Sequence, residues 1–124
     1  MLESKITETE LEIMRVLWDA GEPLTVTAIK SGASCRFAMS ADTVKTLLRR
    51  LCKKGAVRQE KREVYYYSPV VSAEDYGKYS TQRIIDKLYS GSAQGLVAAL
   101  VRNRQLRPED IDELRAMFDA GGES

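Results

Sequence analysis

The chain has no histidine. It has two cysteines, Cys35 and Cys52, with sixteen residues between them and no Cys-x-x-Cys or Cys-x-Cys pair. That removes the usual ligand sets of structural zinc and of haem, and no metal or other cofactor is expected. A reducing compartment argues against a disulfide between the two thiols. Cys52 falls on an apolar helical stripe and reads as a small core residue, Cys35 as a loop thiol. Arg36 next to Cys35 is the nearest approach to an activated nucleophile, and a lone loop cysteine is far more often inert. There is also no glycine-rich phosphate loop and no nucleophile beside a base, so nothing supports an enzyme. No apolar run approaches the roughly 18 residues of a spanning helix. The opening Met-Leu-Glu-Ser-Lys shows no basic region followed by an apolar core. A cytoplasmic protein without membrane contact is expected. Internal repeats and low-complexity tracts are missing as well.

What remains is 124 residues, 44% hydrophobic and 30% charged, the composition of a globular chain with one modest core or two small lobes. The net charge of +1 says little, but its distribution says more. Residues 28–67 carry ten Lys or Arg against Asp42, Glu60 and Glu63, a balance of +7. Residues 1–27 stand at −4 and residues 68–124 at −2. A basic middle between acidic ends is the footprint of a polyanion-binding face.

Within that basic segment, residues 40–55 form the most organised stretch. Val44, Leu47, Leu48, Leu51 and Cys52 follow the spacing of a helix with one buried face. Ser40 precedes the pattern as a cap, and Gly55 follows it as a left-handed stop. Asp42, Lys45, Thr46, Arg49, Arg50 and Lys53 fall on the outer face, where cations and hydroxyls meet phosphates and base edges. By itself this face reads as an ordinary solvated one, because charge runs usually face only water; the neighbouring elements change that reading.

Before it, Thr7-Glu-Thr-Glu10 has the form of a capping box, and Leu11, Met14, Leu17 and Trp18 predict a helix over 8–20 stopped by Gly21. Glu22-Pro23-Leu24 reads as a short extended connector. Thr25 is a second cap, ahead of a short helix carrying Val26, Ile29 and Ala33 and weakened by Gly32. Residues 34–39 form a loop in which Phe37 and Met39 tuck beneath the next helix. After it, residues 56–59 predict a strand, 60–63 a polar turn, and 64–68 a second strand rich in tyrosine and closed by Pro69. Three helices followed by a hairpin is the order of a winged helix-turn-helix. Lys61 and Arg62 at the hairpin tip then reach a DNA backbone. The hairpin is otherwise a structural ribbon whose tyrosines pack on the core, and both roles are compatible.

Ser72 to Asp75 repeats the capping-box form and opens a helix over 73–89. Ser90-Gly91-Ser92 breaks it, a further helix ends near Asn103, and Pro108 opens the last one with Glu109 and Asp110 in its first turn. These three helices carry more apolar residues than they can bury on each other. Tyr76, Ile84, Ile85 and Leu88 from the first, Leu96, Val97 and Leu100 from the second, and Leu114, Met117 and Phe118 from the third are the expected seam with a second copy. The alternative is that they fold back as a compact monomer. The expected fold class is mainly α with a small β-hairpin. Residues 1–71 form a winged-helix DNA-binding domain and residues 72–124 a helical dimerisation domain.

These blocks resemble the penicillinase and methicillin-resistance repressors (BlaI/MecI), a family with copper-responsive relatives (CopY). The similarity runs through ITETELEIMRVLW at 6–18, SADTVKTLLRRLCKKG at 40–55, the tyrosine-rich wing at 64–68, Leu88-Tyr89-Ser-Gly91, Leu96-Val97, and Ile111-Asp-Glu-Leu-Arg115. The resemblance implies a homodimeric winged-helix repressor on an inverted-repeat, double-stranded operator. It places Thr43, Lys45 and Thr46 near the bases, and Arg49, Arg50, Lys53, Lys61 and Arg62 on phosphates. Ser40 and Asp42 belong to the same contact surface. The family often has a basic residue where Asp42 stands; an aspartate either accepts from a cytosine amino group or favours the helix N-terminus. Cys52 replaces a usual aromatic, which implies a repacked core. Antibiotic-responsive members are cleaved by a sensor protease at an Asn–Phe bond in the helix after the Leu-Val pair. The corresponding positions here are Ala99 and Leu100. The copper-responsive members carry a C-terminal cysteine cluster; none stands near Ser124, so copper sensing of that kind is not expected. The competing function is a winged helix that docks an acidic protein partner through the same basic face, without preference among DNA sequences.

Overall fold

A computed structural model describes residues 5–33 and 38–121, so the expectations for Cys35 and Phe37 lie outside the described residues. The elements run α1 (Glu8–Ala20), α2 (Val26–Ala33), α3 (Ala41–Lys53), β1 (Val57–Lys61), β2 (Tyr65–Pro69), α4 (Ala73–Leu88), α5 (Ala93–Arg102) and α6 (Pro108–Gly121). The protein is thus mainly α with one antiparallel hairpin. The chain divides into two compact units, Met1–Gly77 and Lys78–Ser124, with the division inside α4.

In the first unit each helix begins where its side chains supply an acceptor for free amides. Thr7 accepts from the Glu10 amide at 3.2 Å, and Glu10 returns the bond to the Thr7 amide at 2.9 Å, a complete capping box. Gly21 closes α1 in the left-handed region at φ 68°. Thr25 accepts from the Ala28 amide at 3.2 Å at the start of α2. α3 starts on Ser40, whose hydroxyl accepts from the Thr43 amide at 3.1 Å. It ends with the Gly55 amide on the Cys52 carbonyl and the Ala56 amide on the Leu51 carbonyl. That pair of bonds is a Schellman closure, and it needs the φ of 79° that Gly55 takes without strain.

The core lies where the apolar faces of α1, α2 and α3 meet the inner face of the hairpin. Ile13, Met14 and Leu17 from α1, Ile29 from α2, and Val44, Leu48 and Leu51 from α3 have no exposed surface. Truncating one of these leucines to alanine costs about 2–5 kcal/mol. Met39 is buried as expected, and Cys52 is half-buried against the cluster. Gly32 weakens α2 by propensity but has a packing reason: a Cβ there would stand 2.8 Å from Val16 Cγ1, so α1 and α2 approach closely.

The connector at Leu24 does more than link helices. Its amide and carbonyl exchange hydrogen bonds with the Tyr67 backbone at 2.9 and 2.8 Å, which adds a rung beside β2. The Trp18 indole donates to the Val71 carbonyl at 2.9 Å, and its ring meets Tyr76 at 5.9 Å between centroids. Those two contacts fasten the exit of the hairpin to α1.

The second unit holds the rest of α4 with α5 and α6. Ser90 and Gly91 break the chain with φ of 50° and 83°, and Ser92 caps α5 by accepting from the Gly95 amide at 3.0 Å. Asp110 accepts from the Arg107 amide at 2.9 Å, closing the first turn of α6; this and the Arg107 side chain hold the Asp110 carboxyl below its ordinary range. No helix among the described residues is long and apolar enough to cross a membrane.

Candidate nucleic-acid interface

α3 separates its residues cleanly. Val44, Leu47, Leu48 and Leu51 are buried, while Asp42, Thr43, Lys45, Arg49, Arg50 and Lys53 are exposed. Lys45 and Arg49 are four residues apart and so neighbours on the helix surface. Beside them lies an open groove of about 870 Å³, walled by the start of α2 and by the hairpin, with Lys61, Arg62 and the single carboxylate Glu63 on the far side and Cys52 among its lining residues. The groove is therefore cationic on two walls. Burial raises the Cys52 thiol above its ordinary range, so it is held protonated rather than nucleophilic. Arg50 and Lys53 do not line the groove.

The hydroxyls are less free than the helical wheel implies. Ser40 is committed to its cap and also donates to the Thr43 hydroxyl at 3.0 Å. Thr46 donates to the Asp42 carbonyl at 3.0 Å, a bond inside its own helix. Thr43 accepts from Ser40 and keeps its own proton to donate. Of the expected polar contacts on this face, Lys45, Arg49 and Thr43 have the clearest reach.

The hairpin register corrects the expected turn. β1 runs through Lys61 and pairs Glu60 with Tyr66 and Lys61 with Tyr65, so Glu60 and Lys61 belong to the ladder rather than to the turn. Val64, expected in the second strand, is at the tip instead. The Arg62 amide donates to the Val64 carbonyl at 3.0 Å, which closes the chain within three residues. Polarity misled here: long charged side chains sit well on a strand whose outer face meets water. Alternation along the strands places Val57, Gln59 and Lys61 on the face of buried Tyr67, toward the groove. Gln59 donates to the Tyr67 hydroxyl at 2.9 Å. Glu60 and Tyr66 face the other way. Arg62 folds onto that outer side, donating from Nε to Glu60 Oε2 at 3.1 Å, with its guanidinium 4.5 Å from the Tyr66 ring centroid. This pairing holds the Arg62 guanidinium further into its charged range.

One cation of the basic segment has a different task. Lys54 ion-pairs with Glu10, a carboxylate only 1% exposed, and also donates to the Lys5 carbonyl at 2.7 Å. Burial pushes the Glu10 carboxyl up; the Lys54 ammonium and the Thr7 amide outweigh it and hold it below its ordinary value. Two wall positions, Thr25 and Thr27, went unrecognised by sequence reasoning. Only their place at the start of the second helix of a three-helix array could have signalled them.

The expected dimer residues separate into several environments. Tyr76 packs on Trp18 in the first unit, and Ile85 is buried in the second. Leu96 and Leu100 are half-buried. Ile84, Leu88, Val97, Leu114, Met117 and Phe118 are exposed. Ala99 is buried within α5, so a protease reaches the Ala99–Leu100 bond only after α5 opens.

Comparison with known proteins completes the picture. The family model described as penicillinase repressor matches residues 6–120. The chain belongs to the penicillinase repressor family. The family is one of transcriptional repressors, not of enzymes. The penicillinase repressor of Bacillus licheniformis is 33% identical over 93% of this chain and 90% of its own length. The methicillin resistance regulatory protein MecI of Staphylococcus aureus strain N315 is 28% identical over 93% of this chain and 94% of its own. Among solved structures, monomeric Bacillus licheniformis BlaI in complex with the blaP half-operator is 32% identical. It covers 59% of this chain and 89% of its own, with a TM-score of 0.51.

Proposed function

We propose that this member of the penicillinase repressor family is a homodimeric repressor that reads an inverted-repeat operator through α3 and braces on the DNA backbone with its wing, until an inducing signal releases it. The observation that carries the reading is the cationic groove: Lys45 and Arg49 on one wall, Lys61 on the other. The half-operator complex of the Bacillus licheniformis relative supports it. In this reading residues 1–71 bind DNA and residues 72–124 dimerise. Lys45, Thr43 and Thr46 meet base edges, while Arg49, Arg50, Lys53, Lys61 and Arg62 meet phosphates. Ser40 and Asp42 stand at the start of the same surface, with Asp42 favouring the helix N-terminus. The exposed apolar side chains of α4, α5 and α6 form the seam between copies.

The deciding measurement is a titration of DNA from upstream of the protein's own gene against scrambled DNA of equal length, at two salt concentrations. A preference of about a thousandfold or more is expected for the native fragment. Equal, salt-sensitive binding to both would favour the protein-docking module instead. Two substitutions divide reading from bracing. Lys45→Ala is expected to cost about 1–3 kcal/mol and to relax operator choice. Lys61→Ala is expected to weaken all DNA alike and to reduce the salt slope by about one. Operator preference untouched by Lys45→Ala would move the reading face elsewhere on the domain.

A further inference from the structure

We propose that Glu60 competes with DNA phosphate for the Arg62 guanidinium, so that the wing carries its own brake on backbone contact; the proposal rests on the DNA-binding reading above. The antiparallel register sets Glu60 directly opposite Tyr66, so carboxylate and ring share one face of the hairpin. Arg62, just past the end of β1, joins them. Its Nε and Nη2 donate to the two carboxylate oxygens at 3.1 and 3.4 Å, while its Cζ stands over the Tyr66 ring.

Arg62 and Glu60 are each about half exposed, so the pair stands in water, and Arg62 also lines the groove that carries Lys45, Arg49 and Lys61. A guanidinium presents the same fork of parallel N–H groups to a carboxylate as to a phosphate. The two anions therefore exclude each other on the edge that Glu60 now occupies. The face of the Tyr66 ring attracts the guanidinium separately from either anion and holds it in place while one replaces the other. Lys61, on the opposite face, has no carboxylate partner among the described residues and carries no such brake.

Exchange has a cost that salt reveals. Once released, Glu60 is a bare charge beside phosphates and gathers a cation from solution. That uptake cancels part of the counterion release that drives binding. Glu60→Gln keeps the shape of the side chain and removes the charge.

The test uses the full chain as wild type, Glu60→Gln, Arg62→Ala and the double variant, titrated by fluorescence anisotropy against a mixed-sequence duplex over a range of sodium chloride. The wing contact is with backbone, so no operator is required. Glu60→Gln is expected to bind about 2–5-fold tighter, the range spanned by an exposed ion pair. Its salt slope is expected to steepen by up to about 0.9, and the gain is expected to vanish in the Arg62→Ala background. Unchanged affinity and slope in Glu60→Gln overturn the proposal. So does a gain that persists undiminished without Arg62, because it reports plain repulsion and not competition. A wild-type chain that binds no duplex overturns the DNA-binding reading itself and this proposal with it.

Discussion

Phe118→Glu is expected to turn a dimer into a monomer. Phe118 is 74% exposed in the single chain, and Leu88 and Met117 are 71% and 68% exposed. α6 has fourteen residues and none of them is buried. A helix that short is marginal by itself in water, and most helices are held by packing of an apolar face. α6 shows such a face, with Ile111, Leu114 and Phe118 at helical spacing, and only Ile111 is half-buried within the chain. In the proposed dimer a second copy supplies the missing cover.

In a symmetric dimer each substitution enters the seam twice. An aromatic anchor is worth about 2 kcal/mol or more, so two lost anchors weaken association by about 4 kcal/mol, close to a thousandfold. Sedimentation equilibrium over a concentration series measures this directly. Operator affinity should fall with it, because a monomer holds one half-site. The near-ultraviolet signal of Trp18 should stay, since Trp18 packs within the first unit. An unchanged dimer constant would mean that α6 is not the seam.

Glu10→Ala is the second large effect, and it acts on stability. It deletes one partner of the buried ion pair, and it leaves Lys54 with the Lys5 carbonyl alone. Breaking a buried pair costs about 3–5 kcal/mol, and the lower end applies because Lys54 keeps a fifth of its side chain in water. The capping box of α1 is lost with it. Urea denaturation should show a lower midpoint at an unchanged slope. The pH dependence has a definite sign. The folded carboxyl titrates below its ordinary 4.5, so its contribution is complete above pH 4.5 and is lost as pH falls through the folded value. The stability gap between wild type and Glu10→Gln should therefore shrink only in acid below that point. A gap that stayed constant into strong acid would show that the charge of Glu10 does not stabilise the fold.

Much of the architecture was legible because the responsible interactions are local. Thr7, Gly21, Ser40 and Gly55 bound α1 and α3 through bonds between residues three to five positions apart. The basic outer face of α3 followed from helical periodicity alone. The hairpin turn was misjudged by two residues, because charge in a short segment does not separate a turn from a strand with one wet face. Register with the opposite strand does, and register is a long-range property.

The sequence by itself determined the helix boundaries, the order of a winged helix, the basic segment and the surplus of apolar side chains at the C-terminal end. Each of these depends on residue type and spacing along one element. Only the tertiary structure decided which cations are free. Lys53, Lys54, Lys61 and Arg62 look alike in the chain, yet Lys54 is committed to a carboxylate forty-four residues away. Lys61 and Arg62 both line the groove, yet Arg62 is folded onto Glu60. A charge is available to a ligand only if no closer partner of opposite sign has been brought to it, and bringing that partner is the work of the fold.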